Sequence, residues 1–139
     1  SDEAKTMSTQ TLNVELDYDP QAKQASDAAG KPGGYIGSGV GTATGDINGS
    51  IAWDLYEDQS PEKCDASFVG VITTPTGDEI NFQTRGMLLA PTPAEPAIFR
   101  TNSEIVIVAN QQFPSDLKGD WIGTFDASTY HHSYVVNVQ

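Results

Sequence analysis

Residues 33–50 read GGYIGSGVGTATGDINGS, with seven glycines in eighteen positions and no proline. Such a run is either a backbone cradle for a phosphate or a strand stripped of side chains. A phosphate cradle needs its glycines at set places between a strand and a helix. The dinucleotide pattern requires glycine at the first, third and sixth positions, and counting from Gly37 the sixth is Thr42. The Gly-Lys-Ser/Thr of a P-loop is absent, and no amphipathic helix follows. In a strand, residues of equal parity share one face. Gly37, Gly39, Gly41 and Gly45 share the parity of Tyr35 and Ala43, while the other face carries Ile36, Ser38, Val40, Thr42 and Thr44. A bare strand face is tolerated where the chain bends sharply or a large side chain crosses the backbone closely. A small barrel supplies both conditions. The stretch reads as a barrel strand.

Outward from it, period-two alternation recurs along the chain. In TLNVELDY (11–18), Leu12, Val14, Leu16 and Tyr18 oppose Thr11, Asn13, Glu15 and Asp17. Asn48-Gly49 predicts a type I′ hairpin turn, since both central positions of that turn need positive φ. Beyond it, SIAWDLYE (50–57) sets Ile51, Trp53, Leu55 and Glu57 against Ala52, Asp54 and Tyr56. ASFVGVITT (66–74) leads through a tight PTGD turn into EINFQTRGMLL (79–89), where Ile80, Phe82, Thr84 and Leu88 share a face. IFRTNSEIVIVA (98–109) places Phe99, Thr101, Ser103, Ile105 and Ile107 together, and DWIGTFD (120–126) and HSYVVNV (132–138) finish the series. Residues 19–34, 58–65, 90–97 and 110–119, polar or rich in proline and glycine, read as loops, with a short helical turn allowed in the first and last. The fold expected is all-β: an eight-stranded antiparallel up-and-down β-barrel, with a two-sheet β-sandwich as the alternative. Residues 1–9 read as a disordered or tag-derived N-terminus with Met7 as the natural start, and residues 10–139 as a single β-barrel domain.

Nineteen acidic against seven basic residues give a net charge of −12. Phosphate backbones are neutralised by clustered Lys and Arg. Here Arg85 and Arg100 are the only arginines and the lysines are scattered, so nucleic acid and anionic membrane are excluded as partners. No apolar run approaches the roughly 18 residues of a membrane helix. The N-terminus also lacks the basic-then-apolar layout of a signal peptide. A lone cysteine, Cys64, forbids an intrachain disulfide and fits a reducing compartment. A cytoplasmic location is the expectation.

Metal chemistry finds no ligand set. His131 and His132 are strand neighbours pointing to opposite faces, and Cys64 lies in an acidic loop with no second cysteine. GDINGS begins like a calcium loop but has no glutamate at the twelfth position. No nucleophile elbow exists, because the GSG of residues 37–39 lies in a strand. Neither a metal nor a cofactor is expected. If the alternating faces line a lumen, Glu57 and His132 are its ionisable groups. A carboxyl shielded from water holds its proton more tightly, and an imidazole titrates near neutrality, so the pair could shuttle a proton. Tyr35, Trp53, Phe82, Thr84, Trp121, Tyr130 and Tyr134 would shape and orient a substrate. The plainer alternative leaves Glu57 in solvent at a strand end, His132 capping the last strand, and the aromatics as core, with Trp121 filling the space over the glycine strand. Arg85 and Arg100 fall on the outward parity.

A glycine-rich strand running into NGSIAWDLYE, then GVITTPTGDEINFQTRG, FRT and WIGTFDASTYHHSYVVNV, resembles small bacterial proteins of unknown function with a calycin-like barrel. These are related in architecture to the allene-oxide-cyclase and dirigent barrels. The resemblance covers residues 34–138 and is anchored on Trp53-Asp54, Gly77-Asp78 with Ile80, Gly86 and the closing aromatic strand. Residues 103–121 depart from the pattern, and none of the anchors is a catalytic signature. It implies a barrel that often self-associates, with a lumen that in some relatives hosts cofactor-free cyclisation, isomerisation or elimination. Three functions are therefore expected in turn. One is a cofactor-independent isomerase, cyclase or lyase for a small hydrophobic molecule, with Glu57 and His132 exchanging the proton. Another is a non-catalytic carrier of such a molecule. The third is a homo-oligomeric interaction module in contact through the outward Val69, Val71, Met87 and Leu89.

Overall fold

A computed structural model describes residues 8–19, 34–59 and 64–139, with backbone alone at 34–36, 58 and 59. Eight strands follow one another: β1 Gln10–Tyr18, β2 Gly34–Gly45, β3 Gly49–Gln59, β4 Cys64–Thr73, β5 Glu79–Leu89, β6 Ile98–Ile107, β7 Leu117–Asp126 and β8 His131–Val138. Each is antiparallel to the next, and β8 pairs back onto β1 from Asp17↔His131 to Gln10↔Val138. The sheet is therefore a closed barrel, which excludes the two-sheet alternative and leaves no open edge. Residues 1–7 of the expected leader, and loop residues 20–33 and 60–63, lie outside the described residues.

Alternation carries directly into burial. Leu12, Val14 and Leu16 of β1, Ile51, Trp53, Leu55 and Glu57 of β3, and His132, Tyr134, Val136 and Val138 of β8 all point into the lumen. On β2 the inward face is the glycine face. A Cβ added at Gly39 would lie 1.9 Å from the Asp17 carbonyl oxygen and 2.7 Å from the Trp53 ring. There β2 turns so tightly against β1 that only hydrogen fits. The ring crossing it is Trp53, whose indole N–H donates to the Val40 carbonyl at 2.9 Å. Trp121, expected in that place, instead stacks on Tyr134 and Phe82, with centroids 4.3 and 5.7 Å away.

The β2–β3 connection differs from the expected type I′ turn. Neither Asn48 nor Gly49 has positive φ; the left-handed residue is Gly45, at φ 127°. Thr11 N–H donates to Asp46 Oδ2 at 2.8 Å, and Asp46 N–H donates to the Thr11 carbonyl at 3.0 Å. Asn48 clamps Gly45 from the other side, donating to its carbonyl at 2.7 Å. These bonds to β1 override the local preference of Asn-Gly and fold Ile47 into the lumen, where it is 1% exposed. It stoppers that end of the barrel. The PTGD turn forms as its residues require: Gly77 N–H donates to the Thr74 carbonyl at 2.9 Å and Gly77 takes φ 89°.

Two further boundaries shift. β7 begins at Leu117 because Lys118 and Gln139 exchange backbone hydrogen bonds of 3.0 Å and Leu117 is buried opposite Ile107. The segment 110–119 is thus only partly loop. Cys64, expected in a loop, opens β4 opposite Gln59 and is half-buried.

Candidate functional site

The lumen has two unlike halves. Toward Ile47, the inward residues Leu12, Ile72, Ile80, Ile107, Leu117 and Val138 pack as an aliphatic core. Toward Tyr130, the cross-strand register runs Glu57↔Ala66, Ala66↔Gly86, Gly86↔Ser103 and Ser103↔Trp121, a row of mostly small side chains. Facing that row across the lumen is an aromatic group carried by β1, β3, β4, β7 and β8.

His132 lies in that group, 2% exposed. Its ring stacks on Phe125 at 4.4 Å and meets the edges of Phe68 and Trp53 at 5.2 and 5.8 Å. Nδ1 lies 2.7 Å from the Tyr134 hydroxyl and Nε2 3.3 Å from the Tyr18 hydroxyl. Burial pulls its pKa down to about 3, with the charge of neighbouring His131 acting in the same direction. His132 is therefore neutral near pH 7, one ring nitrogen donating and the other accepting. Burial raises the pKa of Tyr134, and the charge of Glu57 adds to the rise.

The sequence-selected residues divide among distinct places. Glu57 is 7% exposed and lies in the small-residue row, not in solvent at a strand end. Trp53, Trp121 and Tyr134 are buried in the wall around His132. Phe82 belongs to the packed half, where its ring fills the space over Gly70. Thr84 accepts the Phe68 N–H at 3.2 Å. Tyr35 pairs with Glu57 along the ladder, and its side chain lies outside the described residues. Tyr130, expected on the inward face of β8, belongs to the preceding turn at φ 56° and is 41% exposed. A non-glycine residue there costs about 1 kcal/mol, offset by edge-on contacts to Tyr18 and Phe125 at 5.7 and 5.9 Å.

Sequence reasoning missed Tyr18, which touches Trp53, Phe125, Tyr130 and His132 at once. It also left Phe68, Thr101 and Ser103 without a role. Their inward parity was legible, but their meeting was not, since it depends on register across several strands. Thr101 Oγ1 and Trp121 Nε1 are buried with no hydrogen-bond partner among the described residues. Both lie beside the Tyr134 hydroxyl, near enough to lower its pKa, without the alignment of a hydrogen bond.

Outside the barrel, His131 faces the opposite way from His132, as strand parity requires. Its Nδ1 lies 2.7 Å from Asp17 and its Nε2 2.9 Å from Glu15, which also accepts the Ser133 hydroxyl. Hydrogen bonds to Asp17 and then Glu15 raise its pKa. Arg100 pairs with Glu95 at 2.8 Å, and Arg85 faces outward opposite Glu104. Among the described residues, no three of His, Cys, Asp and Glu are placed to hold a metal ion, and no helix is long and apolar enough to cross a membrane.

Fold and site define an up-and-down β-barrel of eight strands whose lumen is aliphatic at one end and aromatic and polar at the other. Comparison with protein-family models, characterised proteins and solved structures returned no match.

Proposed function

We propose that the barrel holds one small, mostly apolar molecule in the half of its lumen nearer Tyr130, and carries it without transforming it. Support comes from the unequal filling of the lumen. Inward positions of β4–β7 toward Tyr130 are Ala66, Gly86, Ser103, Thr101 and Gly123, whereas toward Ile47 they are Ile72, Ile80, Phe82, Ile107 and Leu117. An eight-stranded barrel is either filled by its own side chains or holds one small ligand. Small inward residues facing an aromatic wall favour the ligand.

A carrier is favoured over a proton-shuttling enzyme by the state of His132. A general base works best with its pKa near the working pH. An imidazole that gains its proton only near pH 3, with both nitrogens beside tyrosine hydroxyls, serves better as a neutral hydrogen-bonding pillar. Titration with the neutral hydrophobic dye Nile red tests the proposal. The native chain binds it one to one, Glu57→Gln leaves the affinity unchanged, and Ala66→Leu blocks binding while the fold persists. Failure of the dye and of other neutral apolar probes to bind sinks the carrier function.

A second reading is contact between copies of this chain. Val40 and Val69, 63% and 58% exposed, flank Ala52 in a groove across the outer face of β2–β4, with Asp19 and Asp54 at its rim. Sedimentation that finds only monomer at the highest attainable concentration removes it.

A further inference from the structure

We infer that the Thr101 hydroxyl and the Trp121 indole N–H form a two-donor seat for an uncharged acceptor oxygen, the carbonyl of a ketone, aldehyde, ester or amide. This seat presupposes the ligand-binding function proposed above and adds the chemistry of the ligand. The two residues come from neighbouring strands, β6 and β7, and both point inward, 4% and 1% exposed. Gly123 pairs with Thr101 and puts no side chain between the hydroxyl and the indole two residues away. An indole N–H can only donate, and a hydroxyl always has a proton to give. Buried donors are nearly always paired in native proteins, with protein, water or ligand, because an unpaired one forfeits its hydration. The Tyr134 hydroxyl beside them is aligned on His132 Nδ1 and is out of line with both. The remaining partner must therefore come from outside the protein.

Charge narrows its nature. A cation has nothing to gain from two donors. A carboxylate would meet the field of Glu57, which already acts on the Tyr134 hydroxyl. The neutral His132 supplies no compensating positive charge. An uncharged oxygen on an apolar body fits the donors, the aromatic wall and the small-residue row together.

Three probes of similar size separate the outcomes: acetophenone carries a carbonyl, ethylbenzene carries none, and benzoate carries a charge. Affinities are read by displacement of Nile red from the folded protein. Thr101→Val, equal in shape, is expected to weaken acetophenone about fivefold, the worth of one neutral hydrogen bond. It should leave ethylbenzene unchanged. Thr101→Ser restores the hydroxyl and the acetophenone affinity, and Trp121→Phe repeats the selective loss. Benzoate binds weakest of the three. If Thr101→Val shifts acetophenone and ethylbenzene equally, or shifts neither, the two-donor seat is wrong although the barrel still binds apolar molecules. The same holds if benzoate binds best. If no probe and no dye binds, the carrier function falls and the seat falls with it.

Discussion

Replacing His132 with phenylalanine keeps a ring of similar size against Phe125 and removes the titrating group from the lumen. The native pKa of His132 is about 3 against an ordinary value of 6.5. A depressed pKa means that the unfolded chain takes up the proton first. Stability from the neutral imidazole is thus fully present above pH 6.5 and is lost as pH falls toward 3. Proton linkage puts the loss between pH 7 and pH 5 at about 2 kcal/mol. His131 acts with opposite sign: its raised pKa stabilises below pH 6.5, and that contribution fades as pH rises through its folded value. Its ring is 34% exposed, so the effect is small, and it is common to both proteins. Carboxylate contributions likewise cancel in the comparison. At pH 7 the variant loses about 1–3 kcal/mol because the hydroxyls of Tyr18 and Tyr134 lose their partner. Urea unfolding followed by tryptophan fluorescence at pH 7, 6 and 5 gives both curves. The deficit of the variant should shrink by about 2 kcal/mol from pH 7 to pH 5. A deficit that stays constant over that range would refute a buried, neutral His132.

Gly39→Ala should destabilise the barrel by about 3 kcal/mol or more, because its Cβ would fall 1.9 Å from the Asp17 carbonyl; an unfolding midpoint equal to that of the native chain contradicts the close approach. Ile47→Ala opens the stoppered end of the lumen and should cost roughly 2–5 kcal/mol, whereas a solvent-facing hairpin residue would cost almost nothing. His131→Gln should lower stability by less than about 1 kcal/mol. Its deficit should be larger at pH 6 than at pH 9, since the pairing with Asp17 and Glu15 needs the ring charged; a deficit that grows with pH reverses the assigned sign.

How much of this was legible in the chain depends on the range of the forces involved. Strand parity is a property of a few consecutive residues, so the inward set Ile51, Trp53, Leu55 and Glu57 and the opposed histidines 131 and 132 could be read directly. The PTGD turn is equally local. The bare face of β2 pointed to a barrel because glycine in that density makes sense only where strands coil tightly. Net charge excluded phosphate-binding partners without any structure at all.

Other features needed the closed barrel. Asn48-Gly49 carries a strong local turn preference, yet bonds between Asp46 and Thr11 outweigh it, and no property of Ile47 alone reveals that it becomes the stopper. Trp53 rather than Trp121 crosses Gly39 because the two are paired across β2–β3. Tyr18, at the end of a strand, becomes the contact of four other rings only because β8 returns to β1. The convergence of Thr101, Trp121 and Tyr134 is set by the pairing of β6, β7 and β8. The sequence by itself determined which side of each strand faces the lumen, because that follows from backbone geometry within one strand. Tertiary structure alone decided which inward residues meet, because neighbours across a barrel are chosen by register and closure, and these arise from contacts distant in the chain.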